Sequence, residues 1–266
     1  MIRFQCLASG SSGNCYFLGT TERGILIDAG IGMRSLVKGL RELGIELSQI
    51  HAVLITHDHA DHVKSVGCLA QKHHLPVYAT AKVHQAIAAS RYLEEIPVDR
   101  CFNVAYEEPF DLLGFRITPF AVPHDASDNV GYSIAFDEHR LTIATDVGHL
   151  TDDIERYMSL STHLVIEANY DEEMLRQGSY PAFLRQRIVS PTGHLSNRET
   201  AEFLVRILRP EMKSIWLCHL SRDNNHPELA YKTVEMTLRS YGIVVGKDVR
   251  LTTLKRTHPS DLYVFE

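Results

Sequence analysis

The run Thr56-His57-Asp58-His59-Ala60-Asp61-His62 packs three imidazoles and two carboxylates into six consecutive residues. Neutral imidazole and carboxylate are the donors preferred by zinc, manganese and related ions. His57 and His59 are two residues apart, so on an extended backbone both side chains leave one face and can clamp a single ion. Asp61 and His62 then turn the chain toward a second position beside it. A spacing of H-x-H-x-D-H is much more specific than two histidines on a helix.

Other donors fall where strands are expected to begin or end. Val130 to Phe136 and Leu141 to Thr145 read as a hairpin joined through Asp137-Glu138-His139-Arg140. Pro123-His124-Asp125 before the first strand and Thr145-Asp146 after the second therefore finish at the same edge, while His139 is left in the turn at the opposite end. His219 closes the apolar run Ile215-Trp216-Leu217-Cys218. His57, His59, Asp61, His62, His124, Asp146 and His219 are more donors than one ion needs. They divide into His57, His59 and His124 for one ion and Asp61, His62 and His219 for another, with Asp146 bridging both. Each ion then keeps an open position, as catalytic sites do. Two divalent ions ~3.5–4 Å apart would share a water and activate it as hydroxide near neutral pH. Two such ions, two carboxylates and a bridging hydroxide leave a charge of about +1, suited to a phosphodiester whose transition state gains negative charge. His194, on a loop just before a helix N-terminus, is placed to protonate the leaving oxygen. Asp61 and His194 are the expected catalytic residues.

The bulk properties set limits on the rest. Hydrophobic content of 44% and charged content of 23% match a globular protein with a real core. No run approaches a membrane span, and the start, Met1-Ile2-Arg3-Phe4-Gln5, is a strand pattern and not a signal peptide. Five cysteines without a C-x-x-C pair argue against a disulfide framework and for a reducing cytoplasm. A formal charge of −6 gives no global attraction to nucleic acid, although bound divalent ions would offset much of it.

The elements that position these groups follow in order. Ile2 to Leu7 and Cys15 to Leu18 form a hairpin around the glycine–serine tip Ser9-Gly10-Ser11-Ser12-Gly13-Asn14. Gly24 to Asp28 is a third strand, ending at Ala29-Gly30, which reads either as a phosphate-holding loop or as a plain tight turn. Asp28 either orients a histidine of the cluster or simply forms that turn. Arg34 to Leu43 is a helix stopped by Gly44. The strand Ala52-Val53-Leu54-Ile55 delivers the histidine cluster, and a helix through Val66, Leu69 and Ala70 follows it. His73 and His74 end that helix, and His84 lies in a further helix, Ala81 to Ser90, without a ligand partner; these are structural or surface positions. Phe115 to Pro119 is a strand, and Leu164 to Glu167 is another, ending in a carboxylate. Ser196 and Glu199 form a capping box for a helix whose buried stripe is Phe203, Leu204, Ile207 and Leu208. A last helix runs from Pro227 to Tyr241. No repeat or linker interrupts the chain, and one domain spanning 1–266 is expected.

The order His57-x-His59-x-Asp61-His62, His124, Asp146, His219 resembles the metallo-β-lactamase-fold hydrolases over the whole chain. Five further stretches resemble the YycJ (also WalJ or VicX) branch. They are Leu7 to Asn14, Pro123-His124-Asp125-Ala126, Glu167-Ala168-Asn169-Tyr170-Asp171, Gly193-His194-Leu195-Ser196-Asn197, and His219 to Asn225. The resemblance implies an α/β (α+β) fold, the αββα four-layer sandwich, with a di-metal site holding Zn2+ or Mn2+ at one edge. It further implies a metal-dependent nuclease with 5′-to-3′ exonuclease action on DNA. Within the shared motifs Ser11, Asn14, Asn169, Ser196, Asn224 and Asn225 are the expected substrate contacts. In the related RNase Z and cyclic-phosphodiesterase groups a histidine matching His194 contacts phosphate or helps the leaving group. Only 73 positions separate Asp146 from His219, too few for the extra β-CASP domain of RNase J-like nucleases. Any grip on nucleic acid falls to the scaffold, with Arg176, Arg185, Arg187 and Arg198 as candidates. A small-molecule hydrolase such as a cyclic phosphodiesterase is the alternative on the same metal site. Neither a membrane nor a protein partner is indicated.

Overall fold

β-Branched, alternating runs separated by glycine-rich turns and amphipathic helices build two seven-stranded sheets. The computed structural model describes residues 1–265, and the chain divides into two compact units. The first comprises Met1–Glu108, Ala126–Val130 and the segment from Lys255 onward; the second comprises Pro109–Asp125 and Gly131–Leu254.

In the first unit β1 (Arg3–Ala8) and β2 (Cys15–Gly19) form the expected antiparallel hairpin, with a register shift between Cys6 and Ala8. The third strand, β3 (Gly24–Ile27), runs antiparallel to β2. From there β3, β4 (Ile50–Leu54), β5 (Val77–Ala79) and β6 (Cys101–Asn103) are parallel. Parallel neighbours need crossovers. These are α1 (Met33–Glu42), then α2 (Ala60–Val63) with α3 (Val66–His73), then α4 (Ala81–Ala89). The short pair Tyr263–Val264 adds an edge strand beside β1. The core of this unit buries Leu26, Val53, Ile55, Leu69 and Val77 against Leu36 and Leu40 of α1. Each such side chain contributes about 1.5–3 kcal/mol of burial.

In the second unit β7 (Phe110–Leu112), β8 (Phe115–Ala121), β9 (Val130–Phe136) and β10 (His139–Ala144) precede a parallel run. That run is β10, β11 (His163–Glu167), β12 (Ser214–Cys218) and β13 (Arg250–Thr253). Its helices are α5 (Asp152–Ser159), α6 (Glu172–Gln177), α7 (Ala182–Ile188), α8 (Asn197–Ile207) and α9 (Pro227–Ser240). The capping box expected at Ser196 and Glu199 is present, and Phe203, Leu204 and Ile207 are buried as the stripe requires. Leu208 lies just past the helix end and is only partly buried.

Four strands escaped the sequence reading: β6, β7, β13 and the Tyr263–Val264 pair. All are two to four residues long and partly exposed, so their periodicity is too brief to register. Two histidines also sit differently from expectation. His139 is not in the hairpin turn but opens β10, buried, with Nδ1 3.2 Å from Nε2 of His163. His84 is half-buried on α4, near the carbonyl of Phe102 at 3.3 Å, and burial pulls its pKa below the usual imidazole value.

Candidate active site

In the first unit the parallel register sets Ile27 of β3 beside Leu54 of β4, so Asp28 and Thr56 emerge from the same sheet edge. Asp28 is fully buried and adopts φ +57°. The two sequence readings of this residue are therefore both realised: it makes the turn, and its carboxylate holds the cluster. Oδ2 lies 2.7 Å from Nδ1 of His62, and Oδ1 accepts from the backbone N–H of Thr56 at 2.9 Å. The Thr56 hydroxyl donates to the same carboxylate (3.0–3.1 Å) and lies 3.0 Å from Nδ1 of His57. One buried carboxylate thus orients His62 directly and His57 through a hydroxyl. The rings of His57 and His62 stand 4.0 Å apart, and those of His57 and His59 stand 4.7 Å apart, edge to face. Asp61, partly exposed on α2, brings Oδ2 to 3.6 Å from Nε2 of His62. Asp58, the residue skipped in the spacing, anchors Ser127 through its N–H (3.0 Å) and hydroxyl (2.9 Å).

The loop is braced from behind by Gly30. A Cβ at that position would lie 1.6 Å from the carbonyl oxygen of Asp61, so only glycine permits this approach. Ala29 and Gly30 donate their N–H groups to His62 O and Asn14 O, both at 2.8 Å, so the turn carries the histidine loop.

In the second unit Ala144, Ile166 and Leu217 are in parallel register, so β10, β11 and β12 deliver Asp146, Glu167 and His219 to one carboxyl edge. Asp146 (φ +56°) and His219 (φ +52°) are left-handed, a conformation that costs a non-glycine residue roughly 1 kcal/mol and aims the side chain away from the strand path. Oδ1 of Asp146 lies 3.5 Å from Nε2 of His124, 3.5 Å from Nδ1 of His219 and 3.9 Å from Nδ1 of His194. Its Oδ2 accepts from the hydroxyl of Thr145 at 2.8 Å.

Glu167 was absent from the expected site, yet it organises this edge. It is fully buried. Oε1 lies 2.9 Å from Nδ1 of His194 and 2.8 Å from Nδ1 of His219. Oε2 accepts from the backbone N–H groups of Val147 (2.9 Å) and Leu195 (3.1 Å). Burial pushes its carboxyl pKa up, but the two imidazoles outweigh that, and the net shift is downward. The signal was available: three successive buried strands each end in a titratable residue, and the middle one is Glu167.

These contacts test whether the residues fit a metal. A carboxylate or carbonyl only accepts, so each imidazole facing one through Nδ1 carries its proton there and keeps the Nε2 lone pair as the ligand. His62 on Asp28, His219 on Glu167, and His124 on the carbonyl of Gly193 (3.1 Å) share this tautomer, while His194 also turns its Nδ1 to Glu167 but is assigned no ligand role. His57 joins them through Thr56. Asp146, Glu167, His194 and His219 each bring a donor atom within 4.8 Å of the others. The donor chemistry fits a divalent ion.

Five of the six expected substrate contacts are buried. Asn14 is fully buried; its amide spans both backbone groups of Gly10 and reaches Nε2 of His62 at 2.8 Å. Ser196 is buried as the cap of α8. Asn169 donates to the carbonyl of His219 at 2.8 Å, and Asn225 donates to the carbonyls of Ala168 and Asn169. Asn224 is fully buried. Of the six only Ser11 is exposed. The arginines are also engaged: Arg176 with Glu173, Arg187 with Asp125 (2.5 and 3.0 Å), Arg198 with Glu202, and Arg185 with the carbonyl of Arg176.

Comparison with known proteins identifies the family. The beta-lactamase superfamily domain matches residues 23–219. Exodeoxyribonuclease YycJ of Bacillus anthracis is 34% identical over 246 residues, covering 92% of each chain. Exodeoxyribonuclease WalJ of Streptococcus pneumoniae is 37% identical over 251 residues, covering 94% of this chain and 93% of that one. The metallo-beta-lactamase fold protein YhfI from Bacillus subtilis shares the fold with a TM-score of 0.70 at 16% identity, over 98% of this chain and 99% of its own. The chain therefore belongs to the metallo-β-lactamase superfamily, in its YycJ/WalJ branch, and is a metal-dependent hydrolase with the α/β fold of that family.

Proposed function

We propose that this hydrolase cleaves phosphodiester bonds of nucleic acid, acting on DNA as a 5′-to-3′ exonuclease. The observation that carries the reading is the His194–Glu167 pair. Its Nδ1 is held at 2.9 Å by a buried carboxylate, and the side chain is 16% exposed, so the opposite nitrogen can pass a proton outward. A phosphodiester's leaving alkoxide needs such an acid, and Glu167 stabilises the imidazolium that supplies it. The exodeoxyribonuclease relatives support DNA as substrate.

Residues 1–266 are proposed to form one domain, since the family match takes in residues of both units. His57, His59 and His124 would hold one divalent ion, Asp61, His62 and His219 a second, and Asp146 both; zinc and manganese suit these donors alike. When bound, the ions supply positive charge for the phosphoryl group and lower the pKa of water. Asp28 and Glu167 orient the imidazoles that face them through Nδ1, Asp61 accepts a proton from the attacking water, and His194 returns one to the leaving oxygen. Among the described residues no helix is long and apolar enough to cross a membrane, and work in the cytoplasm is part of the proposal.

The engagement of Arg176, Arg185, Arg187 and Arg198 favours a second reading, a hydrolase of small phosphodiesters such as cyclic nucleotides. End-labelled single- and double-stranded DNA and RNA, bis-p-nitrophenyl phosphate and a cyclic nucleotide, each given to metal-loaded protein, separate the two. Stepwise loss from 5′ ends of DNA is expected; turnover confined to the small esters would replace the nuclease with the second reading. Asp146→Ala should lose activity together with metal. His194→Ala should slow catalysis at unchanged metal content, and full activity would remove its role as acid.

A further inference from the structure

We propose that a basic cavity in the first unit binds a phosphate of the nucleic-acid strand being cleaved, an inference that rests on the phosphodiesterase reading above. The cavity, about 480 Å³, is lined by Lys38, Lys64, Arg256 and His258, with Ser12 and Gly32 supplying hydroxyl and backbone groups. That volume is in the range of small-ligand sites, roughly 300–1,000 Å³. Three permanent cations and one carboxylate, Glu42, line it, and Glu42 lies 3.8 Å from Nζ of Lys38. Lys64 enters no ion pair among the described residues. Such a concentration of positive charge stands out on a chain of net charge −6, and an anion relieves its mutual repulsion.

The cavity shares a wall with the histidine loop. Gly13 and Ile31 line it. Next to them Asn14 donates its N–H to Asp61 O at 2.7 Å, and the Ser65 hydroxyl donates to Ile31 O at 2.6 Å. Lys64 follows His62 by two residues, so a phosphate held here lies one loop away from the Asp61 and His62 side chains.

The test uses full-length, metal-loaded wild type, Lys64→Gln, Arg256→Gln, the double variant and Lys64→Arg. Each is titrated by fluorescence anisotropy with a cleavage-resistant phosphorothioate oligodeoxynucleotide, 5′-phosphorylated or 5′-hydroxyl, over a range of KCl. Melting temperature and metal content are measured alongside. The double variant should bind about tenfold or more weakly whatever the sequence, and the log–log salt slope should fall by about 2. Lys64→Arg, which keeps the charge, should bind like wild type. A preference for the 5′-phosphate that vanishes in the double variant assigns the cavity to the strand terminus, and equal losses for both ends assign it to internal phosphates. Unchanged affinity and slope in a folded, metal-loaded double variant overturn the inference. Hydrolysis of bis-p-nitrophenyl phosphate by wild type tests the underlying reading separately: its presence leaves only the cavity in question, and absence of all phosphodiester turnover removes both.

Discussion

Replacing Glu167 with glutamine exchanges one carboxylate oxygen for NH2 at the point where two histidines and two backbone groups converge. The carboxylate accepts four hydrogen bonds of 2.8–3.1 Å, from His194, His219, Val147 and Leu195. Glutamine has one acceptor oxygen and one NH2 group. Turned toward Val147 and Leu195, its NH2 leaves two backbone donors unsatisfied; turned toward His194 and His219, it can be met only if a ring gives up its Nδ1 proton. The site is fully buried, so water does not repair the mismatch. Breaking one partner of a buried charged network costs about 3–5 kcal/mol. For a chain of this size that corresponds to a fall in Tm of roughly 6–20 °C. The lost acceptor also frees His219 to rotate and to protonate at either nitrogen, so metal affinity should drop about 10–100-fold. Calorimetry with and without added metal, and competition for metal against a fluorescent chelator, measure the two effects. A Glu167→Gln protein with wild-type Tm and wild-type metal affinity would refute the assignment of Glu167 as the residue that positions these imidazoles.

Gly30→Ala puts a methyl group 1.6 Å from the Asp61 carbonyl, and backbone on both sides cannot yield. A loss of more than about 3 kcal/mol of stability, with reduced metal content, is expected in denaturant titration; a variant as stable as wild type would show that the loop adjusts freely. His163 gives a pH signature. Burial first, then His139 and Lys213, lower its pKa to about 3, so the folded state stays neutral where the unfolded chain, with a value near 6.5, takes up a proton. Between those values the unfolded state binds more protons, so stability falls as pH drops below about 6.5. Urea midpoints at pH 7.5 and 5.5 should show wild type losing about 1.4 kcal/mol more than His163→Leu. Equal losses would mean that His163 protonates in place.

Much of the chemistry was legible before any fold was known. Six residues from His57 to His62 announce metal ligation, because donor type and spacing are properties of consecutive residues. The capping box at Ser196, the hairpin around Gly10–Asn14 and the helix stop at Gly44 are equally local. His124, Asp146 and His219 could be gathered because each adjoins an apolar run, and the parallel register of β10 to β12 then sets Asp146 and His219 at one edge.

The roles of the supporting residues came only from tertiary structure. Glu167 reads as the polar end of a strand until β12 brings His219, and the loop before α8 brings His194, to the same carboxylate oxygen. That Asn14, Asn169 and Asn225 are buried and hydrogen-bond loop backbone is likewise visible only in the fold. The basic cavity joins Lys38, Lys64 and Arg256, more than 190 positions apart at the extremes, which no local pattern connects. Ligand identity is written in residue type and short-range spacing. What a polar side chain does is decided by which distant groups the sheet register places within 3 Å of it, and whether water can reach it there.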